Sequence, residues 1–221
     1  MFRKDFKAKS QTQVKSSDRK KLRQQFQEFY PQINEEILSL IVPIGKNDDL
    51  TSCKLLLHSG DDAMLYSTNK IPWFFSIEDR STKRERLYPT VYLLWKCPDL
   101  IELKFRTHRQ VFTKLLNGAD LMLPGVIVPS GVVTLDTFRH VKRDDLCSIC
   151  LDDNRFPIGI GLTALDGEDM YMSGMKGRAV ILLHLYQDVL WNFGPKSEAP
   201  YENLDGIVES IVENPETPTG Q

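Results

Sequence analysis

Beyond residue 100 the apolar residues of this chain come in short blocks, 101–107, 121–123, 126–128, 146–151, 157–162 and 179–186, separated by glycines and acidic turns. Blocks of this length suit strands, and long buried helices have nowhere to form. Two segments depart from that rule. Residues 108–117 place Val111, Phe112, Leu115 and Leu116 on one helical face, with Gly118 positioned to end the helix, and residues 167–172 are long enough for a single helical turn. Many short strands with few helices predict a small barrel.

The first hundred residues follow a different rhythm. Asp18 is placed to cap a helix whose Leu22, Phe26, Phe29 and Tyr30 point inward, and Pro31 closes it. Asn34 is placed to cap a second, with Ile37, Leu38 and Ile41 inward, ending before Pro43. The period then becomes two: Cys53, Leu55 and Leu57 alternate with Lys54, Leu56 and His58, and Gly60-Asp61-Asp62 turns the chain into a return strand over 63–67. A third strand is expected at 73–77, an exposed charged loop at 78–86, and a helix begun by Pro89 that carries Val91, Leu94 and Trp95. The prediction is an α+β chain with a small N-terminal α+β domain over 1–95, a β domain over 96–194, and an acidic tail or linker over 195–221 that packs on nothing.

Charge is distributed unevenly. Residues 1–23 hold nine Lys or Arg against Asp5 and Asp18, a local charge of +7, whereas 195–221 hold Lys196 against six carboxylates, a local charge of −5. A basic arm of this kind suits a polyanion, and Lys15, Arg19, Lys20, Lys21 and Arg23 are its expected phosphate contacts. The same arm could serve a protein-interaction or trafficking adaptor. It suits a membrane poorly, because only Phe2, Phe6 and Val14 interrupt its polar run. No apolar run is long enough for a membrane span and the N-terminus has no signal-peptide pattern, so a cytoplasmic protein with reduced cysteines is expected.

Catalytic chemistry finds no foothold. Cys147-Ser148-Ile149-Cys150 has the spacing of half a zinc site, yet it falls within an expected strand where period two sends the two sulfurs to opposite faces. The four histidines are scattered, and the acidic pairs at 48–49, 61–62, 144–145 and 152–153 fall in expected turns, where Asp supports the backbone. Neither a GxxxxGK[ST] loop nor a GxGxxG turn after a strand is present. No catalytic residue, metal or cofactor is expected.

One motif remains, Gly118-Ala119-Asp120-Leu121-Met122-Leu123-Pro124-Gly125, directly after the short helix. Its two glycines allow backbone to approach a partner closely. The pattern resembles the core motif of PUA domains, RNA-binding pseudobarrels in which a helix, a glycine loop and the next strand form one wall of the RNA groove. Together with residues 87–95, Gly174-Met175-Lys176-Gly177-Arg178 and 186–191, it makes residues 1–194 similar to the N-terminal half of the initiation factor 2D (ligatin) family, related to the malignant T-cell-amplified oncoprotein family. That resemblance implies binding to the small ribosomal subunit and tRNA, GTP-independent tRNA delivery or release of deacylated tRNA, and a SUI1-domain region as partner in cis or in trans. Expected RNA-facing residues in the second domain are Lys114, Gly118, Gly125, Lys176 and Arg178. Full members continue into further domains after this region, so the chain is expected to be a fragment or a short form.

Overall fold

The computed structural model describes residues 1–45, 48–78, 85–128 and 131–202. The first sheet is an antiparallel meander, β1 (Lys7–Gln13), β2 (Leu50–Leu56), β3 (Asp62–Thr68), β4 (Ile71–Glu78) and β5 (Glu85–Pro89), in consecutive order. The helices α1 (Ser16–Phe29) and α2 (Glu35–Ile41) precede β2, and α3 (Val91–Lys96) follows β5. Cys53, Leu55, Leu57, Leu65 and Phe75 are buried, as the period-two pattern requires. Asn34 caps α2, its side-chain oxygen accepting from the Ile37 amide at 2.8 Å.

Several expectations for this half need correction. Lys15, not Asp18, stands at the N-cap of α1; Asp18 lies in the first turn, where its charge favours the helix N-terminus. Phe29 points outward at 45% exposure. Residues 85 and 86 belong to β5 rather than to the charged loop, whose residues 79–84 lie outside the described residues, and Pro89 ends a strand instead of opening a helix.

The N-terminal arm is also not a free arm. Residues 7–13 form the edge strand β1, paired to β2 through its backbone while its side chains stay exposed. Residues 1–3 run beside the second sheet. The Phe2 amide donates to the Leu183 carbonyl at 3.2 Å, and its carbonyl accepts from the Val189 amide at 3.1 Å. The Phe2 ring is fully buried, edge-on to Phe75 and His184. A phenylalanine in a basic run gives no period to read, so this packing is invisible to pattern analysis.

The second sheet contains β6 (Lys104–Thr107), β7 (Leu121–Met122), β8 (Val126–Ile127), β9 (Leu146–Leu151), β10 (Pro157–Thr163) and β11 (Arg178–Leu185), in the order β7-β11-β10-β9-β6-β8. All neighbours are antiparallel except β6 and β9. The outermost strands β7 and β8 are joined through a single 3₁₀ turn, Leu123–Gly125, so the chain itself closes the sheet into a nearly complete barrel. The helices α4 (Arg109–Leu116), α5 (Gly167–Met172) and α6 (Val189–Phe193) complete this half.

Two apolar cores result. One lies within the barrel, around Phe105, Leu115, Ile149, Met170 and Leu182. The other belongs to the first sheet and also takes in Ile160, Leu183 and Leu190 from the second half. Between the sheets sits α3, whose Val91, Tyr92, Leu93 and Leu94 are all buried, as an apolar helix with no solvent face must be. Its N-cap residue Thr90 donates to the Pro72 carbonyl at 2.6 Å, and Trp95 Nε1 donates to the Pro157 carbonyl at 3.0 Å.

Residues 195–202 are also anchored, against the expectation for the tail. The Lys196 amide donates to Tyr92 OH at 3.1 Å, Trp191 Nε1 to the Ser197 carbonyl at 3.1 Å, and Asn154 Nδ2 to the Pro200 carbonyl at 2.9 Å. Hydrogen bonds rather than apolar burial hold the segment, which is why composition did not reveal it. The rest of the expected tail, 203–221, lies outside the described residues.

Candidate nucleic-acid interface

The glycine motif forms the seam of the barrel. After α4 the chain turns at Gly118, whose φ of +98° is a left-handed conformation that a side chain would strain. The Gly118 amide returns to the Leu115 carbonyl at 3.0 Å and the Ala119 amide to the Lys114 carbonyl at 3.0 Å, satisfying the end of the helix. Gly125 is different. A Cβ there would meet Leu121 and Val111 at ordinary contact distances of 3.6 Å, so nothing in this geometry demands glycine at that position.

The loop before β11 lies against this seam. Met122 pairs with Arg178, and the Leu123 amide donates to the Gly177 carbonyl at 2.8 Å. Gly174 and Gly177 both have positive φ and bend the loop so that it reaches the motif with Lys176 between them. Lys114, Lys176 and Arg178 are exposed, and the two lysines pair with no carboxylate among the described residues. Arg178 does pair, its Nε lying 3.2 Å from Asp120 Oδ2.

Sequence reasoning did not single out Asp120 as a side chain, and it missed Arg3. The Asp120 carboxylate, 17% exposed, accepts from Arg3 and, at 3.0 Å, from the Leu182 amide. Arg3 also donates to the Gly118 carbonyl. No local pattern could have found Arg3, because its partners lie more than a hundred residues away.

The five cations assigned to the arm divide into two groups. Lys15, Lys20 and Lys21 are exposed around the first turn of α1. Arg19 and Arg23 are buried, correcting their assignment as phosphate contacts. Arg19 donates to the carbonyls of Val14 at 3.0 Å, Pro43 at 3.1 Å, Gly45 at 3.3 Å and Asp48 at 2.9 Å. Arg23 holds the end of α2 through the carbonyls of Leu38 at 3.3 Å and Val42 at 2.8 Å, and pairs with Glu35. Both lie on the inward face with Leu22 and Phe26, at the helical spacing 19, 22, 23, 26.

The cysteines of β9 are buried, Cys147 Sγ 3.4 Å from the Gly161 carbonyl and Cys150 Sγ 3.7 Å from that of Arg155. Burial pushes both thiols up, which withholds the reactive thiolate. Among the described residues no group of three or more His, Cys, Asp or Glu side chains could hold a metal ion. Folded protein is therefore expected to leave both thiols unlabelled by an aromatic disulfide reagent until denaturant is added, and to carry no stoichiometric zinc on elemental analysis. Labelling at the rate of an unfolded control would contradict the burial.

The acidic pair Asp152-Asp153 lies in a turn, as expected, and also holds the start of α4 through His108 at 2.8 Å and Arg109 at 2.6 Å. His184 is a core histidine, 2.8 Å from Asp188. No described helix is long and apolar enough to cross a membrane.

Two family models match the chain, "Pre-PUA-like domain" over residues 2–98 and "elF2D, PUA domain" over residues 103–189. The chain belongs to the initiation factor 2D family. It is 43% identical over 223 residues to Eukaryotic translation initiation factor 2D of Oryctolagus cuniculus, covering 97% of this chain and 37% of the rabbit protein. The Homo sapiens protein of the same name is 42% identical over 90% of this chain and 32% of its own length. The chain thus spans about a third of the length of these curated relatives. Relatedness extends to the malignant T-cell-amplified oncoprotein family, through Translation machinery-associated protein 20 of Schizosaccharomyces pombe, 27% identical over 83% of this chain and 91% of that protein. Among solved structures, a hypothetical protein from Pyrococcus horikoshii OT3 superposes with a TM-score of 0.55 at 20% identity, covering 84% of this chain and 99% of that one. A PUA domain from Aeropyrum pernix K1 gives 0.55 at 23% identity, with 84% and 90% covered. These likenesses show the fold, α+β with a PUA-type pseudobarrel.

Proposed function

We propose that this chain is a non-enzymatic translation-factor module that binds the small ribosomal subunit and tRNA, and assists GTP-independent delivery of tRNA to the P site or release of deacylated tRNA. In this reading the N-terminal unit, taken as residues 1–95, docks on the subunit and the PUA unit, taken as 96–194, faces tRNA. A SUI1-domain region acts with them in cis or in trans, and the setting is the cytoplasm.

The observation that carries the reading is the seam, where the loop 174–177 lies against the glycine motif, Arg178 pairs with that motif's Asp120, and exposed Lys176 and Lys114 stand in the loop and in the helix that lead into the two sides of the seam. Cations grouped at exposed backbone suit a phosphodiester chain, which they would hold without reading its bases. The relatives are named translation initiation factors, which supports the setting. Lys15, Lys20 and Lys21 form a second cationic group on the other sheet's helix, suited to the subunit.

The test is tRNA affinity over a salt series, together with subunit co-sedimentation. Lys176→Glu with Arg178→Glu is expected to weaken tRNA binding across sequences and to flatten the slope of log K against log salt by about 0.7–0.9 per lost phosphate contact. Subunit co-sedimentation is expected to persist. The assignment of surfaces fails if this double variant keeps the wild-type slope while Lys20→Glu with Lys21→Glu abolishes tRNA binding.

A further inference from the structure

The acidic residue at the centre of the cationic seam has no place in a simple phosphate groove. Asp120 takes Arg178 on Oδ2 and Arg3 on Oδ1, and the Leu182 amide also donates to Oδ1. Arg178 is 53% exposed, and Asp120 engages only its Nε, so both Nη nitrogens stay available to a ligand. Arg3 reaches the same point from the segment that precedes the first sheet, donates one Nη nitrogen to the Gly118 carbonyl and the other to Asp120, and has a buried Nε without a partner among the described residues.

We propose that Arg3 and Arg178 form one composite phosphate seat at the Gly118 turn, and that Asp120 holds both guanidiniums in place while lowering the seat's affinity. The inference rests on the RNA-binding role proposed above, and its ligand is a nucleic-acid phosphodiester. The two Nη nitrogens of Arg178 form a fork that matches a phosphate, and the Arg3 guanidinium held on the same carboxylate adds its positive charge beside it. A fixed negative charge between them repels the incoming phosphate, so single anions are held weakly and only a chain that engages neighbouring cations binds well. The first sheet thereby supplies an RNA contact to the barrel, and the interface is shared between the two halves.

Asp120→Asn separates this reading from that of a structural staple. Asparagine keeps an oxygen for the Leu182 amide and removes the charge. As a phosphate seat, the variant is expected to bind tRNA about three- to fivefold more tightly at moderate salt, the scale of one partly exposed charge contact. It should also show a steeper salt slope. A staple that only organises the loop predicts the opposite sign, weaker binding and no steepening. Arg3→Ala is expected to weaken tRNA binding about threefold and to flatten the slope by about 0.7–0.9. Circular dichroism melts of each variant restrict the comparison to folded protein. Binding of Asp120→Asn that is no tighter than wild type, while Lys176→Glu with Arg178→Glu still weakens tRNA, would overturn the seat and leave the RNA face standing. If neither change moves the affinity, both readings fall.

Discussion

Phe2→Ala is expected to destabilise the protein by about 3–5 kcal/mol, the range for truncating a buried aromatic ring. Its ring is fully buried between the two sheets, 4.9 Å from the Phe75 centroid and 6.2 Å from that of His184, both edge-on. Backbone bonds to Leu183 and Val189 pin the segment on either side, so the space cannot collapse freely and a cavity remains. For a chain of this size about 1 kcal/mol corresponds to roughly 2–4 °C, so the melting temperature should fall by about 6–20 °C. A thermal melt followed by circular dichroism reads this directly. A loss under about 2 °C would mean that the N-terminus is the loose basic arm its composition suggests.

Arg19→Met should cost about 2–4 kcal/mol, although the charge it removes sits in the most basic part of the chain. The guanidinium collects four carbonyls from two segments, Val14 before the helix and Pro43, Gly45 and Asp48 from the connection into β2. Methionine fills the stem but takes a donor from all four carbonyls, of which those of Gly45 and Asp48 keep only the backbone amides of Asp48 and Leu50. Arg19→Lys is expected to recover only part of the loss, since one ammonium cannot span four acceptors arranged for a planar fork. Lys20→Glu with Lys21→Glu, one and two positions away but exposed, should change stability by less than about 0.5 kcal/mol. Urea unfolding of the three variants compares them, and equal midpoints for Arg19→Met and the lysine pair would return Arg19 to the surface. At temperatures where Arg19→Met stays folded, its tRNA affinity should match wild type.

Legibility tracked how local each interaction is. The β2–β3 hairpin, the Asn34 cap, the α4 face and the Gly118 turn are decided by residues within about ten positions of one another, and a period or a turn residue records them. Arg19 and Arg23 were half legible. The spacing that buries Leu22 and Phe26 buries them too, but a count of positive charge counts an inward arginine as surface. Arg3, Phe2 and the strap from Lys196 to Glu202 were beyond reach, because their partners lie across the fold and leave no local trace. The motif at 118–125 was found as a pattern, yet its part as the link between β7 and β8, and the carboxylate at its centre, emerge only once both edges of the second sheet are placed.

The bond from Phe2 to Leu183 joins residues about 180 positions apart, and it sets the order of events during synthesis. A ribosome releases Phe2 about 180 residues before Leu183, so throughout that interval the segment's binding groove does not yet exist. The meander can form early, because its strands are neighbours in the chain, but the Phe75 face stays uncovered until β11 and α6 emerge. Closing so long a loop gains little until the barrel is built, which makes docking of residues 1–3 a late step and a slow one. Until then the nascent chain leaves Phe2 undocked and the Phe75 face uncovered, apolar surface of the kind a chaperone binds.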